Sequence, residues 1–400
     1  MNTSQQLEFI KRNTVEIIPE NELLDKLNFS EKFQKPLRVK LGIDPTAPDM
    51  HLGNAVVLRK LREFQELGHI ALLIVGDFTA KIGDPSGRSK TRPQITNEEI
   101  EKNMATYKEQ IFKILIPEKT EFRYNSEWLG KLSSEEIIKL ASKFTLAQLL
   151  EREEISNRYK NNEPISLHEL FYAIFQGYDS VATMTDIELG ATEQKFNLLV
   201  GRELQREYFQ APQVTMTMPI LVGTDGVKKM SKSYGNYIGI TETPVNMFGK
   251  VMSIPDSCIM NYFQLATNLS EVEVKEIEQL LKTSNPRDIK SRLGYEIVKV
   301  YYSETEAKEA EQGFVKMFSK KEVPEDMRVY EVKEPKIWLP QLLLDSGAVP
   351  TKNEARRLIE QKAIEVDGQV VTDIKFELEV KSPVVLKVGK RQFLKVIPAK

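Results

Sequence analysis

The chain has 400 residues, enough for two or three domains, and 41% of them are hydrophobic, enough for ordinary cores. Its 56 Lys and Arg against 58 Asp and Glu leave a formal net charge of −2, so no global basic field advertises nucleic acid and any RNA-binding surface must be a local patch. A single cysteine, Cys258, excludes an intramolecular disulfide framework and a Cys-only zinc site, and points to a reducing compartment.

Met1 to Lys11 is polar and lacks the apolar core of a signal peptide, and no run of about eighteen apolar residues occurs, so the expected location is the cytoplasm, away from membrane. Leu7, Ile10, Leu23, Leu24 and Leu27 fall at helix-like spacings and predict a helical arm over Leu7–Phe33, packed on the first strand. Val39, Leu41 and Ile43 alternate as a strand does; Pro45 and Pro48 then break regular structure. Val57, Leu58, Leu61 and Phe64 recur at helical spacing until Gly68. The uncharged run Ile70–Gly76 reads as a parallel strand buried on both faces. These pieces form a βαβ unit, whose ligands bind at the carboxyl ends of the strands, where a helix N-terminus offers free N–H groups to anions. His51 and Asn54 sit at that helix start, and Gly53 would let a ligand approach the backbone. His51 could equally serve only to cap the helix.

Gly76–Arg88 is a loop dense in Gly and Asp at the end of the second strand, either a ligand-binding loop or an ordinary turn cluster around Asp84-Pro85-Ser86-Gly87. From Ile95 to Phe175 the sequence reads as a helical insertion, with capping boxes at Ser133/Glu136, Thr145/Gln148 and Ser166/Glu169. The charged stretch Glu151–Glu163 reads as a solvated segment. Tyr172, Gln176 and Asp179 share one helical face if that helix continues past Gly177; such a face could be a satisfied surface or could grip a phenolic or amine-bearing ligand. Leu189–Phe196 reads as a loop into a helix with Thr192 as N-cap, and Val214–Val222 as a further strand. After the turn Gly223–Gly226, Lys228, Lys229 and Lys232 crowd three positive charges around Met230 and Ser231, a repulsion that a polyanion would offset.

From Thr243 to Glu334 the chain is rich in helical segments, with Arg287, Lys290 and Arg292 gathering charge behind Pro286, and Lys333–Lys336 reads as a linker. In the final module, Thr351 caps a helix with Glu354 at the capping-box position, and Ile364–Val371 is a hairpin with an Asp367-Gly368 turn. Residues 337–400 hold 11 Lys and Arg against 8 Asp and Glu, so this module is locally basic. The chain divides into an α/β domain over 1–238, with its helical insertion at about 95–175, a helical domain over 239–334 and a small α+β domain over 335–400.

A His-x-Gly-x at a first βα crossover paired with Lys229-Met230-Ser231-Lys232-Ser233 after a late strand resembles the class I aminoacyl-tRNA synthetases. Gly42-Ile43-Asp44-Pro45-Thr46, Ile82-Gly83-Asp84-Pro85-Ser86, Gln176-Gly177-Tyr178-Asp179 and Thr192-Glu193-Gln194 are similar to the bacterial or organellar tyrosyl-tRNA synthetases, over essentially the whole chain. The resemblance implies a Rossmann-like sheet, a helical anticodon-binding domain and an S4-like domain. It also implies L-tyrosine, ATP with magnesium, and tRNA(Tyr) as substrates, a homodimer, and no metal site of the protein's own.

By the same resemblance, Asp84, Tyr172 and Gln176 would hold the amino group of tyrosine, Asp179 its phenolic hydroxyl, and Gln194 would sit near its carboxylate. Asp44, Thr46 and His51 would line the ATP site with Gly53 and Asn54, with Ala191 and Glu193 facing the ribose. Lys229 and Lys232, in a loop with Met230 and Ser231, would close over the pyrophosphate, while Lys352, Arg356 and Arg357 would meet an RNA backbone. Four positions depart from the commonest pattern: Asn54 for a second histidine, Glu193 for aspartate, Ala191 for glycine, and Lys40, beside the amino-acid site, for a tyrosine. A tryptophan-specific enzyme is disfavoured by Asp179 and the S4-like module. A synthetase-derived RNA-binding protein without charging activity is disfavoured by the intact Lys229, Ser231, Lys232, Asp84 and Asp179, and a nucleotidyltransferase of small metabolites by the two C-terminal domains.

Overall fold

The computed structural model describes residues 1–45, 48–86, 95–319, 327–332, 336–389 and 392–398; Thr46, Gly87, Arg88 and most of the expected linker lie outside the described residues. The chain forms two compact units, Met1–Glu311 and Gln312–Lys400.

The first unit is built on a six-stranded sheet of β1 (Glu16–Ile18), β2 (Arg38–Ile43), β3 (Ile70–Val75), β4 (Thr120–Tyr124), β5 (Ile187–Ala191) and β6 (Val214–Met218), in the order β1-β6-β5-β2-β3-β4. All neighbours are parallel except β1, which runs antiparallel to β6. The inner strands β3 and β6 are almost wholly buried, as expected of a parallel sheet covered on both faces. The helix Leu52–Glu66 makes the β2–β3 crossover and buries Leu52, Ala55, Leu58, Leu61 and Phe64.

Two local expectations change. The N-terminal arm is two helices, Thr3–Lys11 and Glu20–Phe33, separated by β1, which extends the sheet at β6 rather than lying on β2. The stretch expected to be wholly helical contributes β4 to the opposite sheet edge. The three capping boxes form as predicted, and the helix Leu167–Thr183 does continue through Gly177.

That helix packs against Lys195–Glu207, burying Ala173, Ile174, Val181, Val200 and Leu204 together. Gly177 makes the close approach possible, because a Cβ there would stand 2.9 Å from Leu204 Cδ1, 3.0 Å from Val200 Cγ1 and 3.2 Å from the Gly201 nitrogen. Further along, Tyr262 is buried and donates its hydroxyl hydrogen bond to the Val222 carbonyl (2.8 Å), tying the later helices to the loop that follows β6.

In the second unit β7 (Arg328–Val332) pairs parallel with the last strand. The rest of its main sheet is antiparallel, and β8 pairs with β11. Its strands are β8 (Lys336–Trp338), β9 (Ile364–Val366), β10 (Gln369–Val370), β11 (Glu377–Glu379), β12 (Val384–Val388) and β13 (Gln392–Pro398). Asp367 and Gly368 both take positive φ, 46° and 79°, as a tight two-residue hairpin requires. Leu339, Leu342, Leu343, Ala355, Ile359 and Leu386 form its core. No helix among the described residues is long and apolar enough to cross a membrane.

Filling the Gly177 contact with a methyl group tests the helix packing. Gly177→Ala should lose about 1–3 kcal/mol in urea unfolding, whereas Gly313→Ala, in a helix with open space at its Cβ position, should gain up to about 1 kcal/mol.

Candidate active site

From β2 the chain passes to β3 and β4 on one side, then enters β5 and β6 on the other, so the strand order turns at the β2–β5 pair. A crevice is expected outside the carboxyl ends of such strands. Asp44 follows β2, Gly76 follows β3, and Glu193 and Gln194 follow β5. The pocket found there is lined by Asp44, Asn125, Tyr172, Gln176, Asp179 and Gln194 among others.

Asp179 is buried beneath two neutral donors, Trp128 Nε1 to its Oδ1 (2.8 Å) and Asn125 Nδ2 to its Oδ2 (3.3 Å). Burial, outweighing the nearby Lys40 charge and these two hydrogen bonds, raises its carboxyl to about 7. Asp44 accepts from Tyr172 Oη (2.9 Å) and Thr79 Oγ1 (2.9 Å). Thr79 also accepts from Asn125 (3.0 Å), which links the Asp44 and Asp179 ends of the pocket. Gly76 is required beside them, since a Cβ there would collide with the Asp44 carboxylate and the Thr79 hydroxyl.

Asp84 is also buried, with its Oδ1 accepting from the Ser86 N–H (2.9 Å), the Ser86 hydroxyl (2.8 Å) and the Arg152 guanidinium (2.9 Å). Burial alone would raise its carboxyl, but the Arg152 charge and the Ser86 hydrogen bonds hold it below the ordinary range. Arg152 belongs to the stretch expected to be solvated. It is instead 3% exposed, and Arg158 of the same stretch is buried in a two-pronged pair with Glu169 (2.6 and 3.1 Å). A charged run had concealed two buried counter-ions.

Gln194 donates to Asp84 Oδ2 (3.2 Å) and accepts from the Ala191 N–H (3.0 Å), so it braces the ends of two loops. Thr192 does not cap the following helix; its hydroxyl donates to the Met218 carbonyl (3.1 Å). The Gln176 amide is fixed in one orientation. Its Nε2 donates to Glu188 (3.0 Å) and its Oε1 accepts from Asn197 (2.9 Å).

Lys40 requires a correction. It is 0% exposed and sits opposite Glu188 in the β2–β5 register, with Nζ 2.9 Å from Glu188 Oε1 and further bonds to Ser180 and the Gln176 carbonyl. It is paired with Glu188 and does not line the pocket, but its charge still favours the ionised form of Asp179.

At the other side of the crevice, His51 caps the Leu52–Glu66 helix: its Nδ1 accepts from the Asn54 N–H (3.4 Å), while Asn54 Oδ1 accepts from the His51 N–H (3.1 Å). Burial and then the nearby Lys232 lower the imidazole to about 4, so it is neutral at physiological pH, and with Nδ1 accepting, the proton resides on Nε2. Gly53 leaves room for the His51 ring, 3.0 Å from its Cβ position, and for Met230, which is buried against it. The lysine loop is anchored by Met230 N–H to the Leu221 carbonyl (2.9 Å) and by Ser231 N–H to Asn236 Oδ1 (2.8 Å). Lys229 Nζ lies 2.8 Å from both oxygens of Glu193, and Lys232 Nζ lies 3.2 Å from Asp49.

Residues 31–319 match the family described as tRNA synthetases class I (W and Y). The chain belongs to that family. Residues 337–384 match the S4 domain. Similar relatives include the tyrosine–tRNA ligase of Moorella thermoacetica, 53% identical over 98% of this chain and 96% of the relative. The tyrosine–tRNA ligase of Carboxydothermus hydrogenoformans is 54% identical over 98% of each. Among solved structures, tyrosyl-tRNA synthetase complexed with L-tyrosine from Archaeoglobus fulgidus covers 77% of this chain and 99% of its own, at 22% identity and a TM-score of 0.63, a likeness of fold.

In this class I synthetase the S4 domain presents a basic face of its own. Lys352 and Arg356, four residues apart on the helix Lys352–Glu360, flank the Trp338 ring at 6.0 and 5.3 Å, while Arg357 turns to Glu354. No group of three or more His, Cys, Asp or Glu suited to a metal ion occurs among the described residues. Reading the sequence alone missed Thr79, Asn125, Trp128, Arg152, Glu188 and Asn197. The glycine at the end of β3 was visible there; the partners of these polar side chains were not.

The raised Asp179 carboxyl has a defined signature. Between about pH 4 and 7 the folded chain holds a proton that the unfolded chain has released, so the stability due to this group falls as pH rises through that window. Asp179→Asn should remove the effect: in urea unfolding at about pH 5 and about pH 8, the variant should gain on the order of 2 kcal/mol relative to the parent chain. An unchanged gap would count against the raised carboxyl.

Proposed function

We propose that the chain is a tyrosine–tRNA ligase that joins L-tyrosine to ATP as tyrosyl-adenylate, releasing pyrophosphate. It then passes the tyrosyl group to the 3′-terminal ribose of tRNA(Tyr), releasing AMP. The observation that carries this reading is Asp179 buried under Trp128 and Asn125 in a switch-point pocket, within a chain 53% identical, nearly end to end, to a ligase of that name.

In the proposed site Asp84, Tyr172 and the Gln176 Oε1 receive the ammonium group, and Asp179 shares a hydrogen bond with the phenolic hydroxyl. Phenylalanine would leave that bond unmade in a buried place. Gln194 lies toward the substrate carboxylate. Asp44, Thr46, His51, Gly53 and Asn54 line the ATP site, with Ala191 and Glu193 at the ribose. Attack of the tyrosine carboxylate on the α-phosphorus needs alignment and donors rather than a protein nucleophile. Neutral His51 offers an Nε2–H donor at a helix N-terminus, and Lys229 and Lys232 meet the charge that grows on the phosphates. Magnesium enters with the nucleotide, whose phosphate oxygens are hard ligands of the kind it takes.

We assign residues 1–238 to catalysis, 239–334 to the anticodon and 335–400 to general RNA contact through Lys352, Arg356 and Arg357. A cytoplasmic homodimer completes the proposal: the family resemblance supports both parts, and a single free cysteine fits a reducing compartment.

Exchange of labelled pyrophosphate into ATP, with tyrosine, phenylalanine or tryptophan supplied in turn, tests the reaction. Exchange is expected with tyrosine alone. Exchange with tryptophan would overturn the role of Asp179, and folded protein that exchanges with none would overturn the ligase reading. For the RNA face, Arg356→Ala should weaken tRNA binding and lower its salt slope by about one; an unchanged slope would remove that residue from the phosphate contacts.

A further inference from the structure

The two oxygens of the buried Asp84 are used unequally. Oδ1 accepts from the Ser86 N–H and hydroxyl, from Arg152 at 2.9 Å and from Asn197 Nδ2 at 3.4 Å. Oδ2 accepts from Gln194 Nε2 at 3.2 Å, and Gln194 lines the pocket. A carboxylate oxygen has about two lone-pair sites, so Oδ1 is saturated while Oδ2 retains acceptor capacity. Arg152 is held on the Oδ1 side by its bond to Ser86 Oγ and by Glu154, whose Oε2 lies 3.4 Å from its Nε.

We propose that Arg152 is a positioning residue of the amino-acid site: it clamps Asp84 through Oδ1, so that Oδ2 is the atom presented to the ammonium group of the substrate. This rests on the reading of Asp84 as the ammonium-binding carboxylate. A fixed cation so close to an incoming cation requires compensation, and Glu154 provides it. Asp84, Arg152 and Glu154 together carry a net charge of −1 and still attract an ammonium ion. Among the described residues, Arg152 is the charged side chain bonded to Asp84; Ser86, Gln194 and Asn197 are neutral donors. Removing the guanidinium leaves burial to dominate, so the carboxyl takes up a proton at a higher pH and loses the charge that binds the substrate.

The test is equilibrium binding of labelled tyrosine to the full chain without ATP, from about pH 5 to about pH 8, for the parent chain and for Arg152→Ala, Arg152→Lys and Asp84→Asn. Arg152→Ala should weaken binding about 10- to 100-fold and move its acid limb, which in the parent chain lies below the measured range, to higher pH. The KM for ATP in pyrophosphate exchange should stay within about twofold, and Arg152→Lys should recover most of the loss. If Arg152→Ala fails to fold by circular dichroism, Arg152→Gln keeps a donor to Oδ1 without the charge and must still move the limb. Arg152→Ala binding tyrosine as tightly as the parent, or more tightly, with the limb unmoved, would overturn the proposal and make Arg152 an occupant that the substrate displaces. Asp84→Asn binding tyrosine normally would overturn the proposal through the underlying reading of Asp84, a failure distinguishable because it leaves the Asp84 variant, not only the Arg152 variants, unaffected.

Discussion

Taking a carboxylate out of water costs several kcal/mol unless a counter-charge and hydrogen bonds replace the solvent, and this constraint shapes the catalytic unit. Asp84, Glu188 and Glu169 are each buried, and each meets a buried cation: Arg152, Lys40 and Arg158. The pairs cross between elements. Lys40 joins β2 to β5, and the two arginines fasten the 151–163 stretch to the loop after β3 and to the start of the Leu167–Thr183 helix. Asp179 breaks the pattern, since its direct hydrogen-bond partners are neutral. Its carboxyl therefore shifts where that of Asp84 is held ionised, and two acids in one crevice acquire different chemistry from their surroundings.

The same pairs orient groups that carry no charge. Glu188, held by Lys40, fixes the Gln176 amide, and Asn197 then bridges Gln176 toward Asp84. Through Asn125 and Thr79, Asp179 is connected to Asp44, and through Asp44 to Tyr172. The residues proposed to hold the amino acid thus belong to two polar networks near the strand ends, one running from Glu188 to Asp84 and the other from Asp179 to Tyr172. A network of this kind defines a single geometry at high energetic stakes, because a half-satisfied member in a low-dielectric site is costly.

Local signals were legible in the sequence. The uncharged Ile70–Gly76 run is β3, the three capping boxes form, and Asp367-Gly368 makes its hairpin, because each depends on neighbours within a few residues. Strands β1 and β4 were not legible. The first has three residues, and the second is a partly exposed edge strand whose Glu121 and Arg123 interrupt any apolar run. Family resemblance brought Asp84 and Asp179 to attention, but Arg152 stayed hidden: its partner is 68 residues away, and a charged run looks alike whether water or a carboxylate receives it. The burial of Lys40 is illegible for the converse reason, since its cross-strand partner Glu188 emerges only from sheet register.

The lysine loop is held by acids of neighbouring segments, with Lys229 on Glu193 and Lys232 on Asp49. A phosphate arriving at either ammonium group would compete with an anionic partner already there. In the proposed role, the loop's grip on a nucleotide would be set by Glu193 and Asp49 as well as by the lysines. In the proposed reaction, such competition would limit how tightly the departing polyanion is retained, because the acids remain beside the lysines to take its place.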